Sequence, residues 1–173
     1  MTRFLFLAVF AALFLSQAGI PHIKSAQAAY EEGKDAQLHK QFQHAADCFR
    51  KAIEIEPTFL DAHEALIAAD LESGRRLDAG AAITQFLEIQ PEAVRYRLIL
   101  GQILLEQKQP EKALAQFSLV LKKEPDNADG LLGFASAASQ VGIKDRATEA
   151  IERGRKRYPG DERFKDASVT PQK

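Results

Sequence analysis

The amino-acid sequence predicts an all-α fold, an α-solenoid of four helix-turn-helix hairpins, and three observations carry that reading. Prolines stand at Pro57, Pro91, Pro125 and Pro159, each 34 residues after the last. Alanines keep the same spacing at Ala45, Ala79, Ala113 and Ala147, as do the columns Phe49, Ile83, Phe117, Ile151 and Gly33, Ile67, Gly101, Ala135. Within a period the apolar residues fall at helical intervals: Ala45, Cys48, Phe49, Ala52 and Ile53 form one stripe, and Ala79, Ala82, Ile83, Phe86 and Leu87 repeat it. Independent columns held in one phase are the mark of a repeated structural unit.

The elements follow in chain order. Met1 to Arg3 give a short positive start, Phe4 to Leu15 an apolar run of 12 residues, and Ala26-Gln27-Ala28 a small-x-small triplet before Ala29. That order describes a secretory signal peptide over residues 1–28, with Ser16-Gln17-Ala18 as an earlier cleavage site. An uncleaved N-terminal membrane anchor is the alternative. A bilayer core asks for about 20 apolar residues, and the shorter run favours cleavage. Residues 29–161 form the repeat domain, with periods 26–59, 60–93, 94–127 and 128–161. Each proline ends a helix, because it cannot donate a backbone hydrogen bond and disfavours helical geometry in the residue before it. Gly74 and Gly142 mark turns inside their hairpins, and Pro110 suits the first position of a helix. Ordering one period costs on the order of 50 kcal/mol, at about 1–2 kcal/mol per residue. A lone hairpin exposes too much apolar surface to offset that, so the hairpins must stack. Residues 162–173 form a short C-terminal tail, and Asp161 to Ser168 supports at most a short helix. The outer face of the last hairpin is therefore expected to be poorly covered, which opens a route to self-association.

This pattern resembles the tetratricopeptide repeat family. Leu100-Gly101, Leu104, Ala113, Phe117 and Pro125 of the third repeat match the family pattern best, and the first keeps Gly33, Ala45, Phe49, Ala52 and Pro57. Ile67 and Phe86 depart from it. The resemblance implies a right-handed superhelix whose first helices line a concave groove. Read in one phase, that groove would present Tyr30, Lys34 and Leu38, then Ala68 and Leu71, then Arg95, Leu98, Gln102 and Leu105, then Leu132, Ser136 and Ser139. Such a face suits an extended peptide or the apolar side of a partner helix. Equally, its leucines could pack on one another or on the chain's own tail. Only Lys34 and Arg95 are cationic there, and the asparagines of a carboxylate clamp are missing.

The chemistry is sparse. Without Arg3 and Lys24 of the leader the chain holds 21 basic and 24 acidic residues, a net of −3, so nothing electrostatic favours nucleic acid. One cysteine, Cys48, rules out an internal disulfide. His39, His44 and His63 lack any metal-ligand spacing, and no nucleophile, phosphate-loop or dinucleotide motif occurs. Arg153, Arg155, Lys156, Arg157, Arg163 and Lys165 cluster near a helix C-terminus, where cations complement the helix dipole. No catalytic residue, metal or cofactor is expected.

The expected function is a protein–protein interaction scaffold of the bacterial cell envelope. It would be exported and periplasmic, or anchored in the inner membrane facing the periplasm, with membrane contact only through the N-terminal segment. The alternative is an assembly factor or chaperone for a pilus, secretion or cytochrome-maturation complex. A metal-dependent enzyme using His39, His44 and nearby acids is a distant third.

Overall fold

A computed structural model describes residues 20–167, with side chains from residue 25 onward. Most of the expected leader and tail lies outside the described residues. Those described form nine α-helices: α1 (Ile20–Leu38), α2 (Phe42–Ile55), α3 (Leu60–Glu72), α4 (Arg76–Ile89), α5 (Val94–Glu106), α6 (Pro110–Lys123), α7 (Ala128–Val141), α8 (Lys144–Arg157) and the short α9 (Glu162–Asp166). The second helices of the four hairpins, α2, α4, α6 and α8, have 14 residues each and start 34 residues apart. No described helix is long and apolar enough to cross a membrane. The fold is an all-α solenoid of tandem hairpins.

The hairpin turns share one backbone conformation. Lys40, Gly74, Lys108 and Gly142, spaced 34 apart, all have positive φ, at 58°, 76°, 56° and 91°. The residue after each returns its N–H to a carbonyl five positions back: Gln41 to Ala36 at 2.8 Å, Arg75 to Asp70 at 2.8 Å, Gln109 to Leu104 at 2.9 Å and Ile143 to Ala138 at 2.8 Å. These are left-handed helix stops closed by the same backbone hydrogen bond. Glycine adopts that conformation freely, as expected at Gly74 and Gly142. The lysines adopt it against the preference of their Cβ.

The proline turns also recur. His63 Nε2 lies 2.8 Å from the Pro57 carbonyl, and Arg97 Nη2 donates to the Pro91 carbonyl at 2.7 Å. His63 and Arg97 occupy equivalent repeat positions, so buried His63 braces a turn.

The chain divides into two compact units, Met1–Ala82 and Ile83–Lys173, with α4 running across the division. In the first, α1, α2 and α3 pack in sequence and α1 also touches α3. Ala29, Ala52 and Ala62 make a small core with Tyr30, Ile53 and Phe59 around it. Gly33 lets the Phe49 ring lie on the α1 backbone: a Cβ there would stand 2.5 Å from the ring. In the second unit, α5 to α8 pack in sequence, α5 also touches α7, and α9 lies on α8. Phe117 of α6 is held between two glycines. A Cβ at Gly101 of α5 would stand 2.6 Å from its ring, and one at Gly133 of α7 would stand 2.3 Å away.

The end of the last hairpin is better covered than the sequence suggested. Phe164 of α9 is fully buried over Gly154, where a Cβ would meet its ring at 1.9 Å. Its ring stacks on Tyr158 with centroids 5.9 Å apart. Arg155 secures the segment by donating to the carbonyls of Phe164 at 2.9 Å and Ala167 at 3.1 Å. Asp161 caps the short helix by accepting from the Arg163 N–H at 3.0 Å. The α9 segment thus covers part of α8, and the expected open face is corrected to that extent.

Candidate functional site

The first helices of the hairpins carry the residues assigned to the groove, and each unit presents its own set. In the first unit Tyr30 is half-buried, with ring centroids 5.6 Å from Phe49 and 5.0 Å from Phe59. Burial, and then the nearby Asp61 carboxylate, push its phenol above the ordinary value. Lys34 is exposed; its Nζ pairs with Glu31 at 3.0 Å and sits 5.4 Å from the Tyr30 ring centroid. The hydrogen bond to Glu31 raises the Lys34 ammonium and lowers the Glu31 carboxyl. Ala68 and Leu71 are half-buried. Leu38 departs from the set. The position in phase with Leu71, Leu105 and Ser139 is Gln37, and Leu38, one residue further on, is 80% exposed at the end of α1.

In the second unit Arg95, Gln102 and Ser136 are exposed, while Leu98, Leu105, Leu132 and Ser139 are half-buried. The three leucines pack on the core built around Phe117, Leu131 and Phe134. The face is therefore an apolar floor with polar side chains standing beside it on two adjacent helices. Each leucine leans on that core and still shows a flank.

Three polar features lie elsewhere. In the first unit Asp70 is buried to 1% exposure, and its carboxylate accepts from Arg75 Nη2 at 2.5 Å. Burial lifts the Asp70 carboxyl above its ordinary range more than the Arg75 hydrogen bond lowers it. The basic cluster of the second unit is largely engaged within that unit. Arg153 pairs with Asp126 at 2.9 Å, Arg163 with Asp129 at 2.6 Å and Asp161 at 2.7 Å, and Lys165 with Glu162 at 2.6 Å. These pairs lie within the last hairpin, the turn before it and the segment after it.

The third feature escaped the sequence reading. Glu32 of α1 and His44 and Cys48 of α2 converge, each offering one ligand-type atom, with all three atoms within 4.8 Å of one another. Cys48 is buried, and burial followed by the Glu32 charge pushes its thiol up. His39, which the sequence paired with His44, is absent from this group; its ring bonds the Asp35 carbonyl at 2.8 Å.

Helical hairpins in tandem, closed by identical turns and presenting the faces of their first helices, define a repeat scaffold as the class of this molecule. Residues 104–168 match the family model described as tetratricopeptide repeat. That match covers the end of α5 through α9, and the 34-residue period carries the same hairpin pattern into the preceding helices. Solved structures of like fold include a MamA protein, with a TM-score of 0.71 at 18% identity over 82% of this chain and 77% of that one. A MamA chain from Desulfovibrio magneticus RS-1 gives 0.68 at 16% over 81% and 79%. YrrB, described as a TPR protein with an unusual peptide-binding site, gives 0.68 at 15% over 85% and 79%. No curated protein matches the sequence.

Proposed function

We propose that the chain is a protein-binding scaffold of the bacterial cell envelope that holds a peptide or helix of its partner on the first-helix faces. The observation that carries this is the face on α5 and α7, where half-buried Leu98, Leu105 and Leu132 lie beside exposed Arg95, Gln102 and Ser136. Half-buried leucines give an apolar strip, and the polar side chains supply hydrogen bonds that fix the register of a guest. The peptide-binding description of YrrB, a structure of like fold, supports the reading by analogy.

The test is cross-linked capture from native envelopes, followed by calorimetry with a synthetic segment of the captured protein. Leu98→Glu/Leu105→Glu and the surface variant Arg95→Glu/Gln102→Ala should each weaken binding at least about tenfold, or about 1.4 kcal/mol. Circular dichroism should show the helices intact. Wild-type affinity in both variants would assign the partner to another surface.

Export is part of the proposal and rests on the N-terminal residues. Cleavage after Ala18 would leave α1 whole, whereas cleavage after Ala28 would remove Ala26, which is fully buried. The earlier position is therefore the better fit to the folded domain. N-terminal sequencing of protein recovered from envelopes should read Gly19 as the first residue; Met1 would identify a retained anchor.

A further inference from the structure

The convergence of Glu32, His44 and Cys48 acquires meaning when the repeats are laid over one another. Position 32 corresponds to Leu66, Leu100 and Phe134, all buried. Position 44 corresponds to Asp78, Lys112 and Arg146, and position 48 to Ala82, Gln116 and Ala150. The three columns meet in the fourth hairpin too, where Phe134, Arg146 and Ala150 line one hollow and the Arg146 guanidinium lies 4.9 Å from the Phe134 ring centroid. The same place in the first hairpin holds a carboxylate, an imidazole and a thiol. Glu32 is exposed, so solvation alone accounts for a polar residue at 32. Solvation does not call for a cysteine where two other repeats have alanine, or for a histidine one helical turn before it facing the same carboxylate.

We propose that Glu32, His44 and Cys48 form a binding site for a zinc-type divalent ion, with three protein ligands and one coordination position open. The ligand chemistry fits: thiolate and imidazole together favour zinc and its neighbours over magnesium or calcium. The geometry is close. Cys48 Sγ lies 3.9 Å from His44 Nε2, and that nitrogen lies 3.6 Å from Glu32 Oε1. Around a tetrahedral ion with bonds of about 2.3 Å to sulfur and about 2.0 Å to nitrogen, adjacent ligand atoms stand about 3.5 Å apart. Buried Cys48 is the fixed anchor. All three atoms lie within 4.8 Å of one another, and the His44 and Glu32 side chains, 54% and 62% exposed, have room to draw in around an ion. Binding replaces the Cys48 S–H bond with a sulfur–metal bond, the proton passes to water, and no electron is transferred. With ligands on α1 and α2, the ion would clamp the first hairpin.

The probe is cobalt(II), titrated into the reduced full-length chain, with zinc as the competing ion. The expected result is one equivalent of cobalt giving a thiolate-to-cobalt charge-transfer band with the visible bands of a tetrahedral site, both abolished by zinc. Cys48→Ala, an alanine as in two sister repeats, should remove the charge-transfer band. Glu32→Gln and His44→Ala should each weaken binding by at least about tenfold, as loss of an inner ligand must exceed the about 10–100-fold typical of outer ones. His39→Ala should bind as wild type. Absence of the charge-transfer band at one equivalent would overturn the proposal, as would undiminished affinity in Glu32→Gln or His44→Ala. In thermal melts zinc should raise the midpoint of the wild type and leave Cys48→Ala unmoved. The reverse pattern would also overturn it.

Discussion

Lys40 and Lys108 hold a backbone conformation that costs a residue with a Cβ about 1–2 kcal/mol. Replacing either by glycine, as their counterparts Gly74 and Gly142 already are, should stabilise the protein by about 0.5–1 kcal/mol, since glycine's extra unfolded-state freedom returns part of the gain. Urea unfolding of Lys40→Gly and Lys108→Gly measures this; a loss of stability would mean the lysine side chains contribute more than the turn costs. Asp70 is the other residue out of keeping with its column, which is otherwise Ala36, Leu104 and Ala138. Removing its partner by Arg75→Ala strands a buried carboxylate and should cost about 3 kcal/mol. Because its folded-state carboxyl is raised, the native chain takes up a proton more readily than the unfolded one. Between the ordinary aspartate value and that raised value, stability should therefore increase as pH falls. Asp70→Asn should flatten this segment of the stability–pH curve.

At the level of the element, the pairing of large and small residues decides how closely helices approach. Gly133→Ala should drive a methyl into the Phe117 ring, costing about 1–3 kcal/mol from overpacking, less the roughly 1 kcal/mol that alanine gains over glycine in a helix. The double variant Gly133→Ala/Phe117→Leu should recover part of the loss, and a double-mutant cycle would read the coupling; strict additivity would show that ring and glycine do not press on each other. Much of this layer was legible in the sequence. The proline column placed the helix ends, and the Phe49 and Phe117 positions placed core residues. What stayed hidden has physical reasons. A lysine in the left-handed region looks like any surface lysine until its column is read beside Gly74 and Gly142. Leu38 seemed to belong to the groove because leucine is apolar, although the period puts Gln37 there. Glu32 was passed over as one of many acids on a helix, yet a comparison with Leu66, Leu100 and Phe134 marks it as the odd member of a buried column. Apart from Leu38, the residues along the first-helix faces could be named from the repeat phase. How far each leucine leans on the core depends on packing that no spacing specifies.

For the whole molecule, stability should be distributed by neighbour. Within each unit neighbouring helices rest on one another, so damage at one end should stay local. Phe164→Ala empties the notch over Gly154 and should cost about 3–5 kcal/mol by the usual measure for a buried phenylalanine. Hydrogen exchange should show lost protection concentrated in α7 and α8, with α2 and α3 unchanged. A uniform loss along the chain would instead show a single cooperative unit.

The position of Phe164 also bears on truncation. A chain ended after Gly160 keeps both helices of the fourth hairpin but lacks the ring that fills its notch. Such a chain should carry three protease-resistant hairpins and a susceptible fourth, and one ended after Ala167 should resist protease throughout.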